Sequence, residues 1–162
     1  MKITLAHGSG GRETSRLIEN IFKKANSNAV LDMPEDSAVV AGGSKIAVTT
    51  DSFVVTPLFF RGGDIGRLSV CGTVNDLLMR GAVPKYITSA YIIEEGADTQ
   101  MLEKIARSMS ETAREANVTV IAGDTKVIEG NGGVYINTTG IGFVNDGVDI
   151  KSSGCKAGDA VI

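Results

Sequence analysis

Apolar residues recur at helical spacing in three stretches of this chain, and in others they alternate or run together as strands do. Leu17, Ile18, Ile21, Phe22 and Ala25 fall on one stripe and predict a helix over about 12–25. Met101, Leu102, Ile105, Met109, Thr112, Ala113 and Ala116 form the inner face of a second helix over about 99–117, with Asn117 as its stop. The third is the stretch around which the chain is organised. Ile65, Leu68, Val70, Val74, Leu77 and Leu78 run nearly all round it, so it is expected to be buried on most sides. Asp64 is placed to cap its start and Gly81 its end. A polar pair, Asn75-Asp76, sits inside this apolar run. An acid there must be hydrated, paired or bound to a cation, because burying it bare is costly.

Strands are expected over 45–50, ending at Asp51, and over 84–94, 118–122 and 134–144. Short strands are expected at Val30-Leu31 and Ala38-Val39-Val40, around Pro34-Glu35-Asp36. Pro57 makes 54–60 an edge or irregular segment that leaves Phe59-Phe60 as a possible contact surface. Gly123-Asp124-Thr125-Lys126 reads as a polar segment at a strand's end. The last residues, Ala160-Val161-Ile162, look like an apolar strand just begun, which suggests that a second domain follows. The order of elements gives an α+β fold, with a mixed or antiparallel sheet backed by helices on one face.

Composition narrows the function more than the fold. With 162 residues, a net charge of -3 and no basic run, the chain offers no nucleic-acid surface. No stretch approaches the ~18 apolar residues of a membrane span. Two cysteines without a CxxC and a single histidine argue against a disulfide framework or a zinc site, and the reading is a reduced, cytoplasmic protein. Twenty glycines point to tight turns or close backbone–ligand approaches.

The candidate chemistry lies in four segments that each place an aspartate beside small or flexible residues: Asp36, Asp51, Asp76 and Asp124. These are expected to meet in one Mg²⁺–nucleotide site. Gly-Asp-Thr-Lys offers a close backbone approach, a carboxylate, a hydroxyl and an ammonium within four residues, which suits a metal-bound polyphosphate. His7-Gly8-Ser9-Gly10-Gly11 opens a helix and could present N–H groups to an anion, although it lacks the Lys-Ser/Thr ending of a Walker A loop.

His7–Gly11, Thr50-Asp51-Ser52-Phe53, Pro57-Leu58-Phe59-Phe60, Gly72-Thr73-Val74-Asn75-Asp76, Gly123–Lys126 and Ile136-Asn137-Thr138-Thr139-Gly140 occur in one order. Together they resemble the HypE hydrogenase-maturation family, a branch of the PurM/AIR-synthetase-like superfamily. The likeness spans nearly the whole chain. It implies an ATP- and Mg²⁺-dependent carbamoyl dehydratase, which phosphorylates and removes the amide oxygen of a carbamoylated C-terminal cysteine. The resulting thiocyanate supplies the cyanide ligand of [NiFe]-hydrogenase iron.

The resemblance further implies that residues 1–150 are a PurM-like N-terminal ATP-binding domain and that 151–162 begin the connection to a C-terminal domain. Two copies would pair into a barrel. Asp36, Asp51, Asp76 and Asp124 would serve the metal. Asp76 and Lys126 would be the catalytic pair. Gly10, Gly11, Asn75, Gly123, Thr125 and Asn137 would hold the nucleotide. HypF and the HypC–HypD complex would be partners. The family's reactive cysteine lies beyond a second domain, so Cys155 does not take that role and this chain alone is expected not to complete the dehydration. Other readings are a thiamine-monophosphate kinase, selenophosphate synthetase or AIR synthetase relative, or a dimerisation module whose acids only form turns.

Overall fold

The computed structural model describes residues 1–32 and 37–160. The expectations placed on Asp36 and on Val161-Ile162 lie outside the described residues.

A four-stranded sheet has the order β1-β6-β4-β5, with β1 at Ile46–Phe53, β4 at Ala82–Glu94, β5 at Thr119–Ile128 and β6 at Val134–Val144. β6 runs antiparallel to both β1 and β4, while β4 and β5 are parallel. A parallel pair cannot be closed by a hairpin, and the helix α4 (Thr99–Glu115) makes the crossover. A two-residue hairpin, β2 (Phe59–Phe60) with β3 (Gly63–Asp64), leads into α3 (Ile65–Leu78). The mixed sheet with helices on one face is the expected α+β architecture.

α4 follows its amphipathic pattern closely. Leu102, Ile105, Ala106 and Met109 are completely buried against the sheet and α3. Each large side chain among them contributes about 1.5–3 kcal/mol by leaving water. Asp98 caps the start of the helix, and Asn117, at φ 55°, turns the chain away after its end. Asp64 caps α3 as expected, its Oδ1 accepting from the N–H of Gly66 at 2.7 Å and of Arg67 at 3.1 Å.

Three expectations fail on packing. α3 is not buried on most sides: Leu68, Leu78, Asn75 and Asp76 are exposed, and only one face meets the sheet and α4. No strand forms at Val30-Leu31 or over 38–40. Gly123–Lys126 lies within β5 and not at a strand's end, because β4 continues beside it and supplies partners as far as Ile128.

The first helix is also irregular. It runs as α1 (Arg12–Leu17), a π-helical segment (Ile18–Lys23) and a last turn, α2 (Lys24–Asn26). Four-residue steps drift by about 40° each on an α-helix. The wider π segment offsets that drift, so Thr14, Ile18, Phe22 and Asn26 all face one cleft.

Among the described residues, no helix covers the sheet's other face. Alternation along the strands puts Val48, Ile92 and Ile128 there, at 64%, 41% and 38% exposure. Asn137, Tyr86 and Phe143 share this face, the two aromatic rings meeting edge to face at 6.2 Å.

Candidate functional site

Two constellations emerge from the expected residues, at opposite edges of the sheet. The first is a cleft of about 500 Å³ along the free edge of β5. Gly8, Ser9 and Gly10 form one lip, and Gly123, Asp124, Thr125 and Lys126 form the other. The inner end is apolar and aromatic, with Phe22 stacked on Tyr91 at a centroid distance of 4.3 Å. The Tyr91 hydroxyl donates to the Met109 sulfur at 3.2 Å, and burial, followed by the charge of Asp64, pushes its phenol up. Tyr91, its hydroxyl committed to Met109, forms a wall of the cleft.

The sequence explains the cleft's shape locally. Gly123 lies tight against β4, where a Cβ would come 2.7 Å from the Ser89 carbonyl oxygen. The glycine permits close strand contact and does not mark a turn. Gly10 sits at φ 81°, in the region that favours glycine, and its N–H donates to Thr14 Oγ1 at 3.0 Å. That N–H is thus already engaged, and an anion on the loop would have to displace the hydroxyl. Gly11 stands outside the lining as the residue before α1, its carbonyl accepting from Ser15. Lys23, which the sequence reading passed over, also lines the cleft and pairs with Glu19 at 3.0 Å. The i,i+4 charge pairing was visible in the sequence, but the inward turn of Lys23 depends on the π segment.

The second constellation joins β1 and α3. Asp76 Oδ2 accepts from Thr49 Oγ1 at 2.9 Å. Partial burial, then the nearby Asp76 charge and a hydrogen bond with Asp76, raise the Asp51 carboxyl above its ordinary value. Two carboxylates thus face each other, and neither forms an ion pair among the described residues. Asn75 is exposed on α3 beside them.

The structure does not gather Asp51, Asp76 and Asp124 within one chain. Asp51 pairs with Thr138, Thr138 with Ser89 and Ser89 with Gly123, so Asp51 and Asp124 are three strand spacings apart, roughly 14 Å. They also project from opposite faces: Asp51 lies on the α3 side, and Asp124 alternates to the bare side. Among the described residues no group of three or more acidic, histidine or cysteine side chains is placed to hold a metal. Asn137 is in neither constellation. Its amide donates to the Asp51 carbonyl oxygen and to Ser52 Oγ, both at 3.0 Å, which ties β6 to β1.

The donor chemistry nevertheless fits magnesium. Mg²⁺ is commonly held by one or two carboxylates, with phosphate and water oxygens completing its shell. Asp51 and Asp76, with the Thr49 hydroxyl beside them, offer such a partial set, and their mutual repulsion is what a divalent cation would relieve.

The family model for AIR synthase related protein, N-terminal domain, matches residues 34–144. The chain belongs to this family. Within the family its relatives are of the HypE type. It is 51% identical over 164 residues to the carbamoyl dehydratase HypE of Rhizobium leguminosarum bv. viciae, a match covering 99% of this chain and 47% of that relative. A crystal structure of hydrogenase maturation protein HypE in complex with ATP matches with TM-score 0.85 at 45% identity, covering 87% of this chain and 43% of that one. A chain of a HypE–HypF complex matches with TM-score 0.63 at 52% identity, over 82% of this chain and 44% of that one. The chain spans about half the length of the curated relatives it matches.

Proposed function

We propose that this chain is the nucleotide-binding part of an ATP- and Mg²⁺-dependent carbamoyl dehydratase of the HypE type, acting in [NiFe]-hydrogenase maturation. The observation that carries this reading is the cleft, in which a glycine loop faces Lys126 and Asp124 in a chain about half identical to HypE. Residues 1–150 form the nucleotide domain, and 151–162 lead toward the part that the relatives have in addition.

Bound Mg-ATP would supply a transferable phosphoryl group to make the amide oxygen of a carbamoylated cysteine a leaving group. The chain's own residues do the positioning that phosphoryl transfer mainly requires. Lys126 offsets phosphate charge at one lip, and Gly8–Gly10 closes the other. Thr125 and Gly123 shape the floor. Asp51 and Asp76 hold the cation.

The separated carboxylates require two copies. Two sheets packed bare face to bare face about a two-fold axis along the strands bring β1 of one over β5 of the other. Asp124 of the second copy then reaches the edge strand β1 that carries Asp51, from the side opposite that carboxylate. The exposed Val48, Ile92 and Ile128 support this pairing into a barrel. HypF is the proposed partner because a HypE–HypF complex exists among the relatives, and the HypC–HypD complex is proposed on family grounds. No helix among the described residues is long and apolar enough to cross a membrane. The proposed setting is the cytoplasm.

Calorimetric titration with Mg-ATP tests the reading, using wild type, Asp76→Asn and Lys126→Ala. Binding by wild type that weakens at least about tenfold in either variant supports it. Equal weak heats in all three would favour a dimerisation module.

A further inference from the structure

The glycine loop stands on a histidine with one nitrogen engaged and the other bare. His7 is the only histidine in the chain and is 5% exposed. The backbone N–H of Thr4 donates to His7 Nδ1 at 3.1 Å, and Thr4 Oγ1 lies 3.0 Å from the same atom. Nδ1 also lies 3.3 Å from the Thr4 carbonyl oxygen, which can only accept; the shorter contact, with a backbone N–H that can only donate, assigns the lone pair to Nδ1 and the ring proton to Nε2. Nε2 is buried and has no hydrogen-bond partner among the described residues.

A buried ring with an idle N–H is an expensive filler, since an apolar side chain of similar size would avoid that cost. The feature that an apolar residue could not replace is the acceptor at Nδ1. What this acceptor fixes follows from the next residues. Gly8 is pressed onto β5, where a Cβ would come 2.6 Å from the Val127 nitrogen and 2.8 Å from Val127 Cβ. Gly10 is held to Thr14 two residues further on. The loop is therefore clamped at its foot by His7–Thr4, in its middle by β5 directly after Lys126, and at its far end by α1.

We propose that His7 is a positioning residue for bound nucleotide. Through the Nδ1–Thr4 contact, in the Nε2–H tautomer, it sets the height of the Gly8–Gly10 loop over Lys126. It does not touch the nucleotide. The inference rests on the nucleotide reading above, but one of its two tests needs no nucleotide.

Because there is a single histidine, long-range ¹H–¹⁵N spectra of the labelled chain show one imidazole. The neutral Nε2–H pattern is expected, and an Nδ1–H pattern overturns the proposal. The second test compares Mg-ATP affinity and urea midpoints for wild type, His7→Gln and His7→Leu. Glutamine at this position can accept from the Thr4 N–H as Nδ1 does, leucine cannot, and both lose the ring. His7→Gln is expected to bind within about threefold of wild type and His7→Leu about tenfold more weakly, with similar urea midpoints for the two. Equal affinities for the two variants, whether high or low, overturn the proposal, as does the reverse order. Failure of wild type to bind Mg-ATP removes the nucleotide reading and this role with it, while the tautomer result stands separately.

Discussion

Gly140→Ala tests how closely α3 must sit on the sheet for Asp76 to reach β1. Gly140 lies on β6 beneath α3, opposite Thr49 on one side and Ile87 on the other. A Cβ there would come 2.5 Å from Thr73 Cγ2 and 3.1 Å from Leu77 Cδ1. Those side chains are 0% and 1% exposed, so neither can swing into solvent. The methyl must lift α3 or force a poor rotamer, and overpacking of this kind costs about 1–3 kcal/mol. With an unfolding entropy of about 2.1 cal/mol/K per residue, a 2 kcal/mol loss lowers Tm by roughly 6 °C in a chain of this length. Urea unfolding followed by far-ultraviolet circular dichroism reads the loss as a lower midpoint at unchanged slope. Gly42→Ala is the control, because a Cβ there meets none of the described residues within 4 Å. The lifted helix also carries Asp76 away from Thr49 and Asp51, so Mg-ATP affinity should fall with stability. A Gly140→Ala midpoint that matches the control would show that α3 does not rest on β6 as described.

Asp76→Asn should leave the urea midpoint in metal-free buffer at or above that of wild type, because it removes a charge facing Asp51 while an amide oxygen can still accept from Thr49. A lower midpoint would contradict the like-charge reading. Asp64→Ala removes the acceptor for two N–H groups and should cost about 1 kcal/mol, or roughly 3 °C in Tm; scanning calorimetry checks this. Glu94 accepts from the Tyr135 hydroxyl and from the N–H groups of Gly133 and Asn131, and these bonds, in that order, hold its carboxyl below the ordinary 4.5. A folded-state value below the unfolded one contributes stability that is complete above pH 4.5 and is lost as pH falls through the folded value. The gap in urea midpoint between wild type and Glu94→Gln should therefore be widest near neutrality and close in acid, and a gap independent of pH would refute the assignment.

The parts of the fold that could be read from the sequence are those decided by a local pattern. The stripe through Leu102, Ile105 and Met109 specified both α4 and its buried face. Asp64 before an apolar run specified a helix start. The failures have non-local causes. Gly-Asp-Thr-Lys has the composition of a turn, and only the neighbouring β4 makes it a strand. The near-continuous apolar run of α3 suggested burial all round, yet one chain covers only one of its faces. The motifs gathered these residues into one site, whereas the structure sets Gly10, Asp124 and Lys126 around one cleft and Asp51 near Asp76. They could not show that the two groups occupy opposite sheet edges, because strand order and register are set by pairings between distant residues. Asn137, expected from the resemblance to hold nucleotide, ties β6 to β1 in this chain, a contact set by register that its motif did not reveal. Phe22, Tyr91 and Lys23 were missed because their convergence depends on a helical irregularity with no evident composition signal.

The lone parallel pairing has a consequence for the order in which this molecule becomes competent. β5 pairs with β4 only once the 17 residues of α4 have docked and returned the chain to the same end of the sheet, and β6, which follows β5 in the chain, closes a still longer loop to reach β4 and β1. Until then the glycine loop has nothing beneath it. Capture of nucleotide would thus report closure of that crossover, and ATP added during refolding should act on species in which it is already closed.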